Sequence, residues 1–178
     1  MGDNMIYFEN EEIRIRDLEE RDAKIITDEE IAQGWHQSID KYLMRLRDRD
    51  SGKVIALVAE YKGNVAGYIN VYPDSKWGAF GGLGLPEIVD FGVLEKYRNR
   101  GIGTKLMDAA EKIAAEYSDK VYLGVGLHSG YGNAQRMYIK RGYIPDGSGV
   151  WYGDKVLEPY APCSNDDDLV LYLIKNNS

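Results

Sequence analysis

Apolar and charged residues alternate at period two through Glu12-Ile13-Arg14-Ile15-Arg16, the mark of a strand with one solvated face, and this is the first strand the pattern predicts. From Leu18 to about Gln33 the chain is rich in Glu, Asp, Ala and Ile and predicts a helix. A second helix follows from Ser38 to Arg49, with Ser38 as its cap and Ile39, Tyr42, Leu43 and Leu46 on one face. Gly34-Trp35-His36-Gln37 breaks the pattern between them, as a packed helix connection or as the lining of a pocket. Val54–Tyr61 and Val65–Tyr72 are β-rich runs joined by Lys62-Gly63-Asn64, a hairpin turn. Pro73 to Pro86 carries Trp77, Phe80 and four glycines, so a mobile loop is expected, either a cover over a site or a surface excursion.

A strand-like run, Ile88 to Leu94, then enters a basic, glycine-containing turn, and a helix from Gly101 to Tyr117 buries Ile102, Leu106, Ala109, Ala110, Ile113 and Tyr117. Val121–Leu127 predicts a strand and Tyr131–Lys140 a short helix stopped by Gly142. Further strands are expected from Tyr143-Ile144, at Val150–Tyr152 and at Leu169–Ile174. Neither repeats nor a linker interrupt the order, which suits one domain over residues 1–178.

Charge narrows the partners. With 22 basic against 29 acidic residues the net charge is −7, which argues against nucleic acid or an anionic membrane surface and favours a cationic partner. Glu29-Glu30 and Asp166 to Asp168 add to that acidity, although acidic surface also serves solubility. The single cysteine, Cys163, excludes an intrachain disulfide. Glu9, Glu11 and Glu12 stand where a signal peptide would need basic then apolar residues, and no apolar run is long enough to cross a bilayer, so a cytoplasmic protein is expected.

Several chemical motifs fail on context. Asp90-Phe91-Gly92 spells a kinase metal-binding triplet without the rest of that enzyme's signature. Gly101 to Lys105 lacks the earlier glycine of a phosphate-binding Walker loop. His36 and His128 are isolated from each other and from Cys163, so neither a metal site nor a cysteine nucleophile is expected. What remains is a strand running into a helix start. Backbone N–H groups there lack intrahelical acceptors and the helix dipole adds positive charge, so Arg98 to Thr104 could solvate a phosphate, with Gly101 and Gly103 letting the backbone approach it.

Val93 followed by Arg98-x-x-Gly101-x-Gly103 resembles the acyl-CoA motif of the GNAT superfamily of N-acetyltransferases, Gln/Arg-x-x-Gly-x-Gly/Ala. Ala134-x-x-x-Tyr138-x-x-x-Gly142-Tyr143 resembles the family's second motif, in the family's order and separated from the first by a helix and a strand. The resemblance implies an α+β fold of mixed α/β type. It has three layers, with a mostly antiparallel central sheet flanked by helices and a splayed parallel strand pair that binds acyl-CoA. It implies an enzyme that moves an acetyl group from acetyl-CoA, without a metal, to a primary amine of a small molecule or peptide, by direct attack in a ternary complex. A homodimer is the expected assembly. The other reading on the same fold is a non-catalytic acyl-CoA-binding or regulatory module.

Carried over residue by residue, the resemblance gives each part of the stretch a role. Arg98, Asn99, Arg100, Gly101, Ile102, Gly103 and Thr104 would hold the pyrophosphate. Phe91, Gly92 and Val93, on a bulged strand, would lie along the pantetheine arm, a backbone N–H near Val93 polarising the thioester. Since only a neutral amine can attack, a base is needed; Glu87 is the first candidate and Asp90 the second, against the alternative that either is a solvated strand-edge carboxylate. Tyr138 would contact the cofactor and protonate the leaving thiolate. Where the family often places a cofactor-contacting asparagine the chain has Tyr131, with Asn133 two residues later as a substitute or a helix cap. Trp35, Trp77, Phe80, Trp151 and Tyr152 are candidate pocket aromatics.

Overall fold

The alternating run folds as β2 (Ile13–Asp17), with Ile13 and Ile15 buried and Arg14 in solvent. A strand absent from the expectation precedes it: β1 (Ile6–Glu9) pairs with β2 antiparallel, and its Ile6 is 49% exposed. Such an edge strand has no alternating buried face to announce it. Arg16 also departs from the pattern, since it is buried on the face that alternation assigns to solvent. The cause is α1 (Glu20–Ala32), which brings Asp22 to within 2.7 and 3.0 Å of the Arg16 guanidinium, while Glu60 accepts from it at 2.9 and 3.0 Å. Asp22 serves twice, because it also accepts from the Glu19 N–H in the capping box that starts α1.

Ser38 caps α2 (Ile39–Asp50) by accepting from the Asp40 N–H. On the expected apolar face Tyr42 and Leu46 are buried and Leu43 partly so, whereas Ile39 is exposed. Lys62 and Gly63, both at positive φ, make the two-residue turn between β3 (Ile55–Tyr61) and β4 (Asn64–Tyr72), with Tyr61 opposite Asn64. Next comes β5 (Glu87–Val93), then α3 (Ile102–Ala115), which ends before Tyr117, so Tyr117 is 53% exposed rather than part of the buried stripe.

The computed structural model describes residues 4–177, which cluster into two compact units. The first takes the chain up to Tyr72 together with Ile88–Ile113. Its strands lie in the order β1-β2-β3-β4-β5. The Leu94 N–H donates to the Ala66 carbonyl while Asn70 reaches Val89 and Asp90, so β5 runs antiparallel to β4. On one face α1 and α2 bury Leu18, Ile26, Tyr42, Leu46, Val58 and Tyr68. On the other, α3 lies over β4, where Leu106 sits so close to Gly67 that a Cβ there would be 3.2 Å from it. This unit is therefore three-layered.

The second unit takes Pro73–Glu87 and the chain from Ala114 onward. It contains β6 (Lys120–Gly126), α4 (Gly132–Lys140), β7 (Ile144–Tyr152) and β8 (Leu169–Asn176), with β8 antiparallel to both β6 and β7. The two expected strand pieces at 144 and 150 are one strand, irregular between Pro145 and Val150 where Gly147 and Gly149 take positive φ. Gly142 takes the left-handed conformation expected of it after α4. The glycine-rich loop, expected to be mobile, is tied down instead. The Gly82 N–H donates to the Ser75 carbonyl at 2.9 Å, the Tyr122 hydroxyl to the Trp77 carbonyl at 2.6 Å, and Phe80 packs on Tyr122.

Arg16→Met leaves Asp22 and Glu60 as carboxylates without their buried cation. The unfolding free energy should fall by about 3–5 kcal/mol in a urea titration at neutral pH.

Candidate active site

In the first unit the notable backbone lies in β5. Asp90 has φ of +55°, a left-handed conformation that costs a non-glycine residue on the order of 1–3 kcal/mol. Beside it, the Asn70 side-chain amide donates to the Val89 and Asp90 carbonyls, each at 3.2 Å. Consecutive carbonyls of a regular strand point to opposite sides, so one amide reaching both shows that the strand is bulged there. The Asp90 carboxylate accepts from Lys41 Nζ at 3.0 Å and lies 3.8 Å from Arg45 Nη2. Gly92 is obligatory in this setting, because a Cβ would fall 2.6 Å from the Tyr68 hydroxyl. That hydroxyl donates to Glu30, as does the Tyr42 hydroxyl. Burial raises the pKa of Glu30, while Lys41 and the Tyr68 hydrogen bond oppose the rise.

β5 hands on to a short 3-10 turn, Glu95–Tyr97, and then to a loop in which Asn99 and Gly101 both take positive φ before α3 begins. Gly101 and Gly103 are needed for different reasons. Gly101 supplies its left-handed φ with open space around it, whereas Gly103 makes room for the Phe91 ring, 3.2 Å from where its Cβ would be. Arg98, Asn99, Arg100 and Thr104 are exposed. The Ile102 side chain is buried in the core, which leaves only its backbone as a possible contact for a ligand. The Arg98 guanidinium stacks over Trp35 and that of Arg100 over Tyr61, which orients two cations beside the helix start.

In the second unit Glu87 is 6% exposed, so it is no solvated strand-edge carboxylate. The Ser75 hydroxyl donates to it at 3.0 Å and in turn accepts from the Trp77 N–H at 3.2 Å. Tyr122 and Tyr172 surround the same charge. Burial first, then the Glu87 carboxylate, raise both phenols, Tyr172 to about 12 and Tyr122 further. Trp151 packs edge-on against Tyr172, and Gly78 lies against the Tyr172 ring. Of the other candidate aromatics, Trp77 is 60% exposed and Tyr152 donates to Asp166.

Tyr138, on α4, is 7% exposed and meets Tyr143 edge to face. Burial raises its pKa, with a smaller contribution from Tyr131, so the phenol keeps its proton at any neutral pH. Tyr131 lies flat against Gly126 and donates to Asp167, which also meets His128 at 2.8 Å. Asn133 is exposed inside the first turn of α4 and does not cap it; the cap position is Tyr131, whose side chain makes no capping bond to the helix. Gln135 anchors α4 instead, donating to the Gly126 carbonyl at 2.8 Å. Among the described residues no group of three or more His, Cys, Asp or Glu is arranged to hold a metal.

Sequence reasoning missed the residues that support the named ones: Ser75, Tyr122 and Tyr172 around Glu87, and Lys41, Arg45 and Asn70 around Asp90. The one available signal was Lys41 and Arg45 at i and i+4, which share a helix face.

The acetyltransferase (GNAT) family model matches residues 13–143. An N-alpha-acetyltransferase of Sulfurisphaera tokodaii is 38% identical over 94 residues, 48% of this chain and 54% of that protein. An uncharacterised N-acetyltransferase of Chlorobaculum tepidum is 32% identical over 95 residues, 53% of this chain and 52% of that protein. The chain thus spans about half the length of the curated relatives it matches. The Salmonella typhimurium protein yncA, solved with acetyl-CoA as its cofactor, shares the fold at a TM-score of 0.65 and 17% identity, over 93% of this chain and 94% of that one.

Gly92→Ala should lower stability by about 1–3 kcal/mol, read by thermal unfolding, because the new methyl group meets the Tyr68 ring and hydroxyl.

Proposed function

The chain belongs to the GNAT acetyltransferase family, and from that premise we propose that it transfers an acetyl group from acetyl-CoA to a primary amine by direct attack in a ternary complex. The observation that carries the proposal is the left-handed pair Asn99 and Gly101 ahead of α3, inside the stretch matched by the family model. The first-turn N–H groups of a helix so entered form a cradle for a pyrophosphate. Arg98 and Arg100 supply charge beside it, Thr104 a hydroxyl, and Ile102 and Gly103 backbone only. Phe91, Gly92 and Val93 take the thioester end of the donor. A Val93 N–H directed at the carbonyl would stabilise the oxyanion of the tetrahedral intermediate.

Glu87 removes the proton from the incoming ammonium, with Ser75 holding the carboxylate. Tyr138 serves the leaving group. Its raised pKa sets the manner: a phenol that holds its proton so firmly acts first as a hydrogen-bond donor to the developing thiolate. Proton transfer follows only because a thiolate out of water is likewise raised above its reference value near 8.5. The net charge of −7 and the buried Glu87 favour a cationic acceptor. The relative named an N-alpha-acetyltransferase makes peptide α-amines the first class to try, ahead of small-molecule amines. Cytoplasmic location, a homodimer, and the joint action of both units as one domain belong to the same proposal.

Free-thiol release from acetyl-CoA over an amine panel should show turnover. Glu87→Gln and Tyr138→Phe should each lower kcat about a hundredfold or more. Unchanged turnover in both variants would remove these two roles. Acetyl-CoA at a hundred times its Kd should raise Tm by several degrees, as about 2.7 kcal/mol of binding linkage requires, and ATP should not. Binding without turnover of any amine would make the chain an acyl-CoA-holding module, and no shift with any CoA compound would overturn the proposal.

A further inference from the structure

We propose that Asp90 is a positioning residue: clamped by Lys41 and Arg45 of α2, it holds β5 in the bulged conformation that shapes Phe91 to Val93. The strain comes first. Among non-glycine residues aspartate tolerates a left-handed φ better than most, yet a strand does not adopt it unless something outside the strand holds it there. Both halves of Asp90 are held. Its carbonyl, with that of Val89, is taken by the Asn70 amide, and its carboxylate is taken by the helix.

The carboxylate is also in the wrong surroundings for taking a proton from a substrate. Oδ1 accepts from Lys41, and Oδ2 is buried without a hydrogen-bond partner among the described residues, facing Arg45 Nη2 at 3.8 Å. Neither cation is loose. Lys41 Nζ sits over the Tyr42 and Tyr68 rings, 4.8 and 5.5 Å from their centroids. Arg45 donates to the Tyr72 hydroxyl at 2.7 Å, and that hydroxyl donates to Asp48 at 2.6 Å. One turn of α2 is thus fastened to β4 and offers two charges to a single residue of β5. Two residues on, Gly92 settles against Tyr68. An aspartate here is the residue that can take a left-handed φ and answer two cations at once.

The kinetic consequence rests on the acetyl-transfer reading above; the clamp itself does not. Asp90→Ala and Lys41→Met should each lower kcat/KM for acetyl-CoA about tenfold or more, since a displacement of about an ångström at a reacting centre is enough for that. Asp90→Asn keeps both the tolerance for positive φ and an acceptor for Lys41, so it should stay within about threefold of the parent. Amide hydrogen exchange over residues 89–94 should speed up about tenfold or more in the first two variants and not in Asp90→Asn, with circular dichroism confirming that all three fold. If Asp90→Asn is as inactive as Asp90→Ala while Lys41→Met keeps parental rates and exchange, Asp90 is the base and the clamp is wrong. Parental exchange in both Asp90→Ala and Lys41→Met also overturns it. A parent without acetyl transfer would fail the functional reading alone, and the exchange measurement would still decide the clamp.

Discussion

A charge taken out of water must be met by another charge or a hydrogen bond, and the carboxylates drawn into this protein show how much of its shape follows from that requirement. Asp22 and Glu60 meet Arg16, which joins α1 to β2 and β3. Glu30 meets the hydroxyls of Tyr42 and Tyr68, which joins α1 to α2 and β4. Asp90 meets Lys41 and Arg45, which brings α2 onto β5. Glu87 meets Ser75, which ties the glycine-rich loop to the start of the same strand. Each pairing fixes an element that apolar packing alone would leave free to slide.

The glycines follow a second constraint, that of space. Gly92 accommodates Tyr68, Gly103 accommodates Phe91, and Gly126 accommodates Tyr131. At Gly92 and Gly126 an aromatic side chain lies where a Cβ would be, and at Gly103 the Phe91 ring lies 3.2 Å from that position, so strand and helix start approach their neighbours closely. Gly101 differs, since open space surrounds it and its φ of +78° is what the turn requires. The two glycines of the Arg-x-x-Gly-x-Gly motif thus perform separate tasks, one setting the chain direction into α3 and the other seating β5 against it.

Periodicity made much of the fold legible. The helices at 20–32, 39–50, 102–115 and 132–140 and the hairpin at 55–72 lie within a few residues of where apolar spacing and caps predict them, because local signals suffice for them. β1 escaped, being an edge strand with little buried surface, and the loop at 73–86 was misjudged because its anchors, the Tyr122 hydroxyl and the Phe80–Tyr122 contact, join residues some forty positions apart. Of the candidate site, the local structure at the motif positions was legible because their residue types answer local demands: a turn, a helix start, a helix aromatic.

By itself, then, the sequence determined most of the elements, the basic turn before α3 and the family to which its two motifs belong. Only the tertiary structure decided which of two neighbouring carboxylates faces cations and which faces a serine and two tyrosines. Strand alternation is no guide to the surroundings of Asp90, because its own left-handed φ interrupts the alternation there. The partners that distinguish the two, Lys41 and Arg45 for one and Ser75, Tyr122 and Tyr172 for the other, come from elements distant in the chain. Burial and pairing are properties of that assembled neighbourhood, and no window of sequence around residue 90 contains them.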